Sequence, residues 1–235
     1  MQLTNVDIAR LRSSSVPTLA NAIETFGVVA PNTGFTREPL TCHYPDLGMA
    51  IGLAATVTAS TDRPPASRPE PVDLRAYLEF LESIDGPKLV VVEDVDDQPG
   101  GAMWGEWNAN LHRAMGCVGT ITQGAARDLD AVAALRFHVF STSVSVAHGY
   151  GEFVGFGAPV RVAGLDVNTG DLLVADRHGA LCVPPAIAIN ELVEVADTID
   201  RLEAEVFAYC KSDDFTIAGM VELERDVMSR WPHPR

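Results

Sequence analysis

The sequence predicts a mixed α/β domain, and three observations carry that prediction. Apolar, strand-like runs alternate with helical stripes through the middle of the chain, a hairpin follows them, and the residues from about 186 onward read as amphipathic helix. Residues 16–26 set Leu19, Ala22, Ile23 and Phe26 at helical spacing with Gly27 as a C-cap, which predicts an N-terminal helix. The run AIGLAATVTA at 50–59 is apolar and partly β-branched, the pattern of a buried strand. Four prolines in STDRPPASRPEP make the next stretch a loop.

Residues 73–84 then read as a helix, and KLVVVEDVD as a strand running into the acidic turn DDQPGG. After it, Trp104, Trp107, Leu111 and Ala114 form one helical stripe that ends near Gly116. CVGTI is a short strand, QGAARD the turn after it, and 128–135 a short helix. HVFST and PVRVAG are strands, the second with alternation at Val160 and Val162. NTGDLLVADRHGALCVPP is a hairpin joined at Arg177, His178 and Gly179 and closed by a double proline. In the tail Leu192, Ala196, Ile199, Leu202 and Val206 share one helical face, with Glu191, Glu194, Asp197, Asp200 and Glu203 elsewhere. With no repeat and no boundary before that tail, the expectation is one domain over 1–235 with a helical tail at about 186–235.

A chain of 235 residues with 47% hydrophobic and 21% charged content has ordinary globular composition and can bury a sizeable core. The formal net charge of −15 repels a phosphate backbone, so nucleic acid is not an expected partner. No stretch reaches the roughly 18 apolar residues of a membrane span. The opening MQLTNVDIARLRSS lacks a basic region followed by an apolar run, and the expected location is cytoplasmic. Cys42, Cys117, Cys182 and Cys210 lie far apart with no C-x-x-C pair, which reads as reduced core residues rather than disulfides or a zinc site.

Two glycine-rich turns flank a helix and a strand in GGAMWGEWNANLHRAMGCVGTITQGAARD, from Gly100 to Asp128. Gly105 and Glu106 stand early in the helix, where free N–H groups and the positive end of the dipole favour an anion. Arg127 and Asp128 stand in the turn after the strand, where such connections present functional groups. If helix and strand pack antiparallel, the start of one meets the end of the other. A small carboxylate is then within reach of N–H groups near Trp107 and Asn108 and of the planar fork of Arg127. Asp128 and Glu106 are hard oxygen donors suited to Mg²⁺ or Mn²⁺. Taken singly, an Arg-Asp pair is equally a solvated turn or a helix start with Asp as N-cap, and Glu106 is a surface residue.

The pattern WGE…A…G-C-V-G-x-I-x-x-G-A-x-R-D, followed by G-D-L-L-V-A-D-R-H-G-x-L-x-V-P, resembles the RraA-like family, which contains class II 4-hydroxy-4-methyl-2-oxoglutarate aldolases. The similarity is densest over 100–184. It implies a swivelling β/β/α domain, assembled as a homotrimer or a hexamer with active sites between subunits. It also implies a divalent-metal-dependent lyase that releases pyruvate from a small 2-oxo acid substrate, with oxaloacetate decarboxylation as a side activity. In that resemblance Gly105, Glu106, Trp107 and Asn108 match the loop whose backbone binds the pyruvyl carboxylate, with the acidic side chain near the metal. Arg127 matches the substrate-binding arginine and Asp128 the metal-binding aspartate, and a C-terminal glutamate of an adjacent subunit approaches the metal.

Two residues depart from the pattern. Gln123 stands where many members have Asp, and Ala131 where the characterised aldolases have a further carboxylate; Asp130 lies about 100° away from that direction on a helix. The binding half of the site is intact, whereas the proton-transfer half lacks a residue. The alternatives are a lyase or decarboxylase on another 2-oxo acid and a non-catalytic, protein-binding regulator of RNA degradation. His178 is a candidate proton carrier but reads first as polar turn chemistry, and His148 stands in a flexible glycine-rich loop able to cover a site but reads first as structural; His43, His112, His138 and His233 show no metal-ligand spacing.

Overall fold

The computed structural model describes residues 3–233 and divides into two compact units. One holds Asn32–Val183 with the residues before Val6, the other Val6–Pro31 with the chain from Pro184 onward. The expected span of 1–235 includes residues 1, 2, 234 and 235, which lie outside the described residues. The helices are α1 (Asn5–Leu11), α2 (Val16–Glu24), α3 (Leu74–Glu82), α4 (Glu106–Ala114), α5 (Leu129–Ala134), α6 (Ile189–Cys210) and α7 (Ile217–Arg230). The strands are β1 (Thr41–Cys42), β2 (Ala50–Ser60), β3 (Lys88–Asp94), β4 (Ala102–Trp104), β5 (Cys117–Ala126), β6 (His138–Val144), β7 (Glu152–Phe156), β8 (Val160–Val162), β9 (Leu165–Val167), β10 (Leu172–Asp176) and β11 (Gly179–Val183).

The first unit is the mixed α/β domain that the alternation predicts. Its main sheet runs β1-β6-β5-β3-β2-β10-β11, with β2, β3, β5 and β6 parallel and the outer strands antiparallel. Parallel strands are covered on both faces, which is why β3 reads as an unbroken apolar run. Leu89 and Val91 join Ile121, Phe140 and Leu173 in a cluster closed by Val160, Val162, Leu165 and Val167 of the β8–β9 hairpin. The alternate residues Val90 and Val92, which strand geometry turns to the other face, are equally buried. Two short strands extend the sheet at its ends: β4 runs parallel to the last residues of β5, and β7 antiparallel to the last residues of β2.

Helix α3 starts at the N-cap Asp73, whose carboxylate accepts the Ala76 N–H at 2.9 Å, an interaction that stabilises a helix start by about 1 kcal/mol. It buries Tyr77 and Leu81. The β10–β11 hairpin is tighter than its sequence indicates, because Asp176 pairs with Gly179 and only Arg177 and His178 form the loop.

Two elements differ from expectation, for one reason. Strand β5 runs ten residues, to Ala126, rather than stopping after CVGTI. Its second half gains ladder partners in β4 and in Ser143 and Val144 of β6, so QGAA is strand and only Arg127 and Asp128 turn. The same pairing takes Trp104 out of the helix and into β4, so α4 starts at Glu106 with a shifted phase. Its buried residues are Ala109 and His112, while Trp107 of the expected stripe is 82% exposed.

The second unit is helical. Ser15 caps α2 by accepting the Thr18 N–H at 3.1 Å, and α2 buries Leu19, Ala22 and Ile23. The helix ends at Thr25, and Gly27, with φ of 64°, follows two residues later rather than serving as the cap itself. The face of α6 that buries Leu192, Ala196, Ile199 and Leu202 packs with α2, where the Thr18 hydroxyl donates to Asp200 at 3.0 Å. The tail is two helices, α7 starting at the N-cap Thr216 and tied back to α6 by Arg230, which pairs with Glu205 at 2.6 Å. Among the described residues no helix is long and apolar enough to cross a membrane. The four cysteines are free; Cys117 is buried, which pushes its thiol up to about 12, whereas Cys210 is exposed on α6 rather than in a core.

Candidate functional site

Strands β4 and β5 end side by side with Trp104 opposite Ala126, and the Arg127 N–H donates to the Trp104 carbonyl at 2.8 Å. Each chain then turns into a helix, β4 through Gly105 into α4 and β5 through Arg127 and Asp128 into α5. Two helix starts therefore meet at the carboxyl end of parallel strands, where open α/β sheets place ligand sites. Trp104 anchors this corner from below: it is fully buried, stacked on Phe137 at 5.8 Å and 4.7 Å from the His112 ring.

Gly105 is the closest point of the corner. A Cβ there would lie 2.6 Å from Asp128 Oδ2 and 3.0 Å from Arg127 Cγ, so a side chain would push the Asp128 carboxylate aside and crowd Arg127. Its backbone is extended (φ −150°), and close approach rather than unusual torsion is what requires glycine. Asp128 Oδ2 accepts the Glu106 N–H at 3.1 Å and lies 3.6 Å from Arg127 Nε. A carboxylate at the first turn of α4 is favoured by the helix dipole. Asp128 stands at the N-cap position of α5 but makes no side-chain cap bond there; its left-handed backbone (φ 54°, ψ 37°) accompanies a carboxylate bonded to the start of α4. That conformation costs a non-glycine residue about 1 kcal/mol.

Two clefts flank Trp107. The first, of about 250 Å³, is lined by Gly105, Trp107, Asn108 and Arg127 with Met103, His148, Glu152 and Phe153 among its other walls. The second, of about 490 Å³, is lined by Glu106, Trp107, Asn110, Leu111 and Asp128. The six residues singled out in the sequence thus gather around the start of α4 but divide between two hollows. Arg127 and Asn108 face one, and the carboxylates of Glu106 and Asp128 face the other.

The α4 side is braced from within. Asn108 Nδ2 donates to the Met103 carbonyl at 2.7 Å, and His112 Nδ1 lies 2.7 Å from the Asn108 carbonyl. A carbonyl only accepts, so Nδ1 carries the proton and Nε2 accepts from the Tyr77 hydroxyl at 2.7 Å. Burial lowers the His112 pKa to about 4 and raises that of the Tyr77 phenol, keeping the pair neutral.

Two residues of this neighbourhood, Glu152 and Arg68, escape sequence reading, and His148 takes the less favoured of its two readings. His148 lines the first cleft instead of merely shaping its loop, and Glu152 lines it too. Arg68, from the proline-rich loop, donates to the Tyr150 carbonyl at 2.8 Å and stands 3.7 Å from Glu152. The glycines around His148 were the available signal. Neither Ala131 nor Gln123 lines either cleft, and His178 is held in its hairpin by Asp176 at 3.0 Å. Among the described residues no group of three or more His, Cys, Asp or Glu side chains gathers as a metal-holding set.

Fold and corner together define a mixed α/β protein with a polar site at the ends of β4 and β5. The chain belongs to the RraA-like family, whose model, described as Aldolase/RraA, matches residues 7–182. It is 28% identical over 167 residues to a protein of Halalkalibacterium halodurans provisionally named a 4-hydroxy-4-methyl-2-oxoglutarate aldolase, covering 68% of this chain and 79% of that one. It is 24% identical over 122 residues to protein DlpA of Legionella pneumophila, a match spanning 50% of this chain and only 20% of that longer protein. In fold it is similar to an uncharacterised protein of Pseudomonas syringae, with a TM-score of 0.69 at 18% identity over 95% of this chain and 99% of the other. It is also similar to RraAS2 of Streptomyces coelicolor, described as an unusual member of the RNase ES inhibitor RraA family, with a TM-score of 0.65 at 21% identity over 88% and 98%.

Proposed function

We propose that this chain is a divalent-metal-dependent carbon–carbon lyase of 2-oxo acids, of the 4-hydroxy-4-methyl-2-oxoglutarate aldolase type, that releases pyruvate and decarboxylates oxaloacetate as a side reaction. The observation that supports it most is the approach of Gly105 to Asp128 and Arg127, which sets a guanidinium, a carboxylate and a helix start within a few ångströms. The named relative from Halalkalibacterium halodurans points to the same chemistry.

The donors present fit a hard cation. Among the described residues Asp128 Oδ1 takes part in no hydrogen bond, and the Glu106 side chain is exposed beside it on the same cleft. Mg²⁺ keeps several waters and needs only one or two carboxylates. Asp128 and Glu106 would hold it. When bound, such a cation supplies a Lewis acid for the charge that develops on the 2-oxo acid as the C3–C4 bond breaks.

The chain's own residues do the rest. Arg127 takes the substrate carboxylate with its planar fork, which gives both charge and orientation. The N–H groups at the first turn of α4, near Trp107 and Asn108, are donors without partners in their own helix and face the same oxygens. The bond from Asn108 to Met103 and the His112–Tyr77 pair hold that turn still, so its donors need little reorganisation.

With one chain supplying two carboxylates, the assembly proposed is a homotrimer or hexamer in which an acidic residue of a neighbouring C-terminal helix completes the metal shell. Glu191, Glu194 and Asp197 are exposed on α6 and available for that role. Pyruvate release from a panel of 2-oxo acids tests the reaction, and sedimentation tests the assembly. Failure of every 2-oxo acid in the panel would remove the lyase reading and leave a protein-binding role; full activity of a monomer would remove the shared site.

A further inference from the structure

We propose that His148 is the proton carrier of this site, giving a proton to C3 of the pyruvate enolate; the inference rests on the lyase reading above. When C3–C4 breaks, its electron pair passes into the enolate, and pyruvate forms only once C3 gains a proton. The imidazolium N–H supplies it and is left as neutral imidazole. That imidazolium is formed at the preceding step, when neutral imidazole takes the proton released as the C4 hydroxyl becomes a carbonyl, so the cycle balances without a co-reactant.

The first cleft offers no better donor. A guanidinium does not release its proton in proteins, which leaves Arg127 as a binding group. The Asn108 amide is committed to the Met103 carbonyl, and Glu152 faces Arg68 across 3.7 Å. Imidazole is the side chain that both takes and gives protons between about pH 5 and 8. His148 shares the cleft with Arg127 and is exposed, so it can also exchange with solvent.

Its position is fixed by the backbone rather than left to a loose loop. The Ala102 N–H donates to the Ala147 carbonyl at 2.8 Å, Tyr150 N–H to Thr61 at 2.9 Å and Gly151 N–H to His148 at 2.9 Å. A Cβ on Gly101 would run into the His148 carbonyl, and one on Gly149, at φ 58°, would lie 2.5 Å from the Thr61 carbonyl. Thr61 is itself held, its N–H donating at 2.8 Å to buried Asp96, which also accepts from Ser60, Asp62 and Arg63. Burial works against that carboxylate's charge, yet these donors hold it well below the usual range. The loop is held by these backbone bonds and buried groups, with Arg68 and Ser145 adding side-chain bonds to the Tyr150 and Ala147 carbonyls, while no hydrogen bond among the described residues engages the His148 imidazole.

Proton delivery to C3 can be read without knowing the natural carbonyl product, as deuterium uptake from D₂O into the methyl group of pyruvate, followed by NMR with the full chain and Mg²⁺. His148→Gln is expected to slow exchange by about 100-fold, the scale of a lost general acid, while pyruvate affinity measured by calorimetry stays at the wild-type value. Imidazole added to His148→Ala is expected to restore part of the exchange. Wild-type exchange in His148→Gln overturns this inference alone. Joint loss of binding and exchange without imidazole rescue also overturns it, because it assigns His148 a structural role. A wild-type protein that neither binds nor exchanges pyruvate overturns the lyase reading together with it.

Discussion

The two hollows beside Trp107 are built from the same turn of helix yet differ in kind. The first, of about 250 Å³, is walled by the fixed 145–151 loop, and its polar groups are one guanidinium, one amide, one imidazole and one carboxylate. The second, of about 490 Å³, is broader, with Leu111 in its wall and two carboxylates on its rim. A small anionic substrate suits the first and a hydrated cation suits the rim of the second. In the proposed reading, binding and metal chemistry divide across one glycine, since Gly105 is where Arg127 and Asp128 both come close.

Breaking that division gives the broadest expected effect. Gly105→Ala forces a methyl group against Asp128 Oδ2 and crowds Arg127, so the carboxylate must move aside and kcat/KM should fall by about 10- to 100-fold, measured with a substrate from the 2-oxo acid panel. An unaffected variant would show that the close approach is incidental. Arg127→Lys perturbs the first cleft and, less directly, the Asp128 carboxylate 3.6 Å from the guanidinium. Keeping charge but losing the fork should cost roughly 10- to 100-fold in kcat/KM, the scale of a charged hydrogen bond, with a smaller change in metal affinity. Asp128→Asn acts chiefly on the second: asparagine tolerates the left-handed backbone, so the melting temperature should hold while Mg²⁺ affinity drops by about tenfold, read by calorimetry.

A smaller effect concerns the brace behind both clefts. His112 is neutral in the fold with its pKa lowered to about 4, against 6.5 for the free group. Between those values the unfolded chain binds more protons than the folded one, so stability is fully present above about pH 6.5 and declines as pH falls toward 4. The expected loss is about 3 kcal/mol over that window, and His112→Gln should flatten it in denaturant titrations across pH. A profile that is unchanged by the substitution would place the titrating group elsewhere.

How much of this is legible in the sequence follows from how local each cause is. Strands β2 and β3 and helix α3 declare themselves because apolar pattern and caps lie within the element itself. The meeting of Gly105 with Arg127 and Asp128 was readable from one assumption, an antiparallel helix and strand, because both turns border that single unit. Strand β4 and the second half of β5 were not, since each exists only as the other's partner. The helical phase around Trp104 and Trp107 went wrong with them. The loop of His148 was legible as one able to cover a site, but its placement was not: it depends on Thr61, Gly101 and Tyr150 meeting from three separate segments, and no spacing in the chain records that.

The central claim, a metal-dependent lyase acting on a 2-oxo acid, is tested most directly by pyruvate release from 4-hydroxy-4-methyl-2-oxoglutarate and oxaloacetate, before and after EDTA. The account predicts release that stops in chelator and returns with Mg²⁺ or Mn²⁺, because both candidate ligands, Asp128 and Glu106, are carboxylates. Full turnover in the presence of EDTA would contradict it.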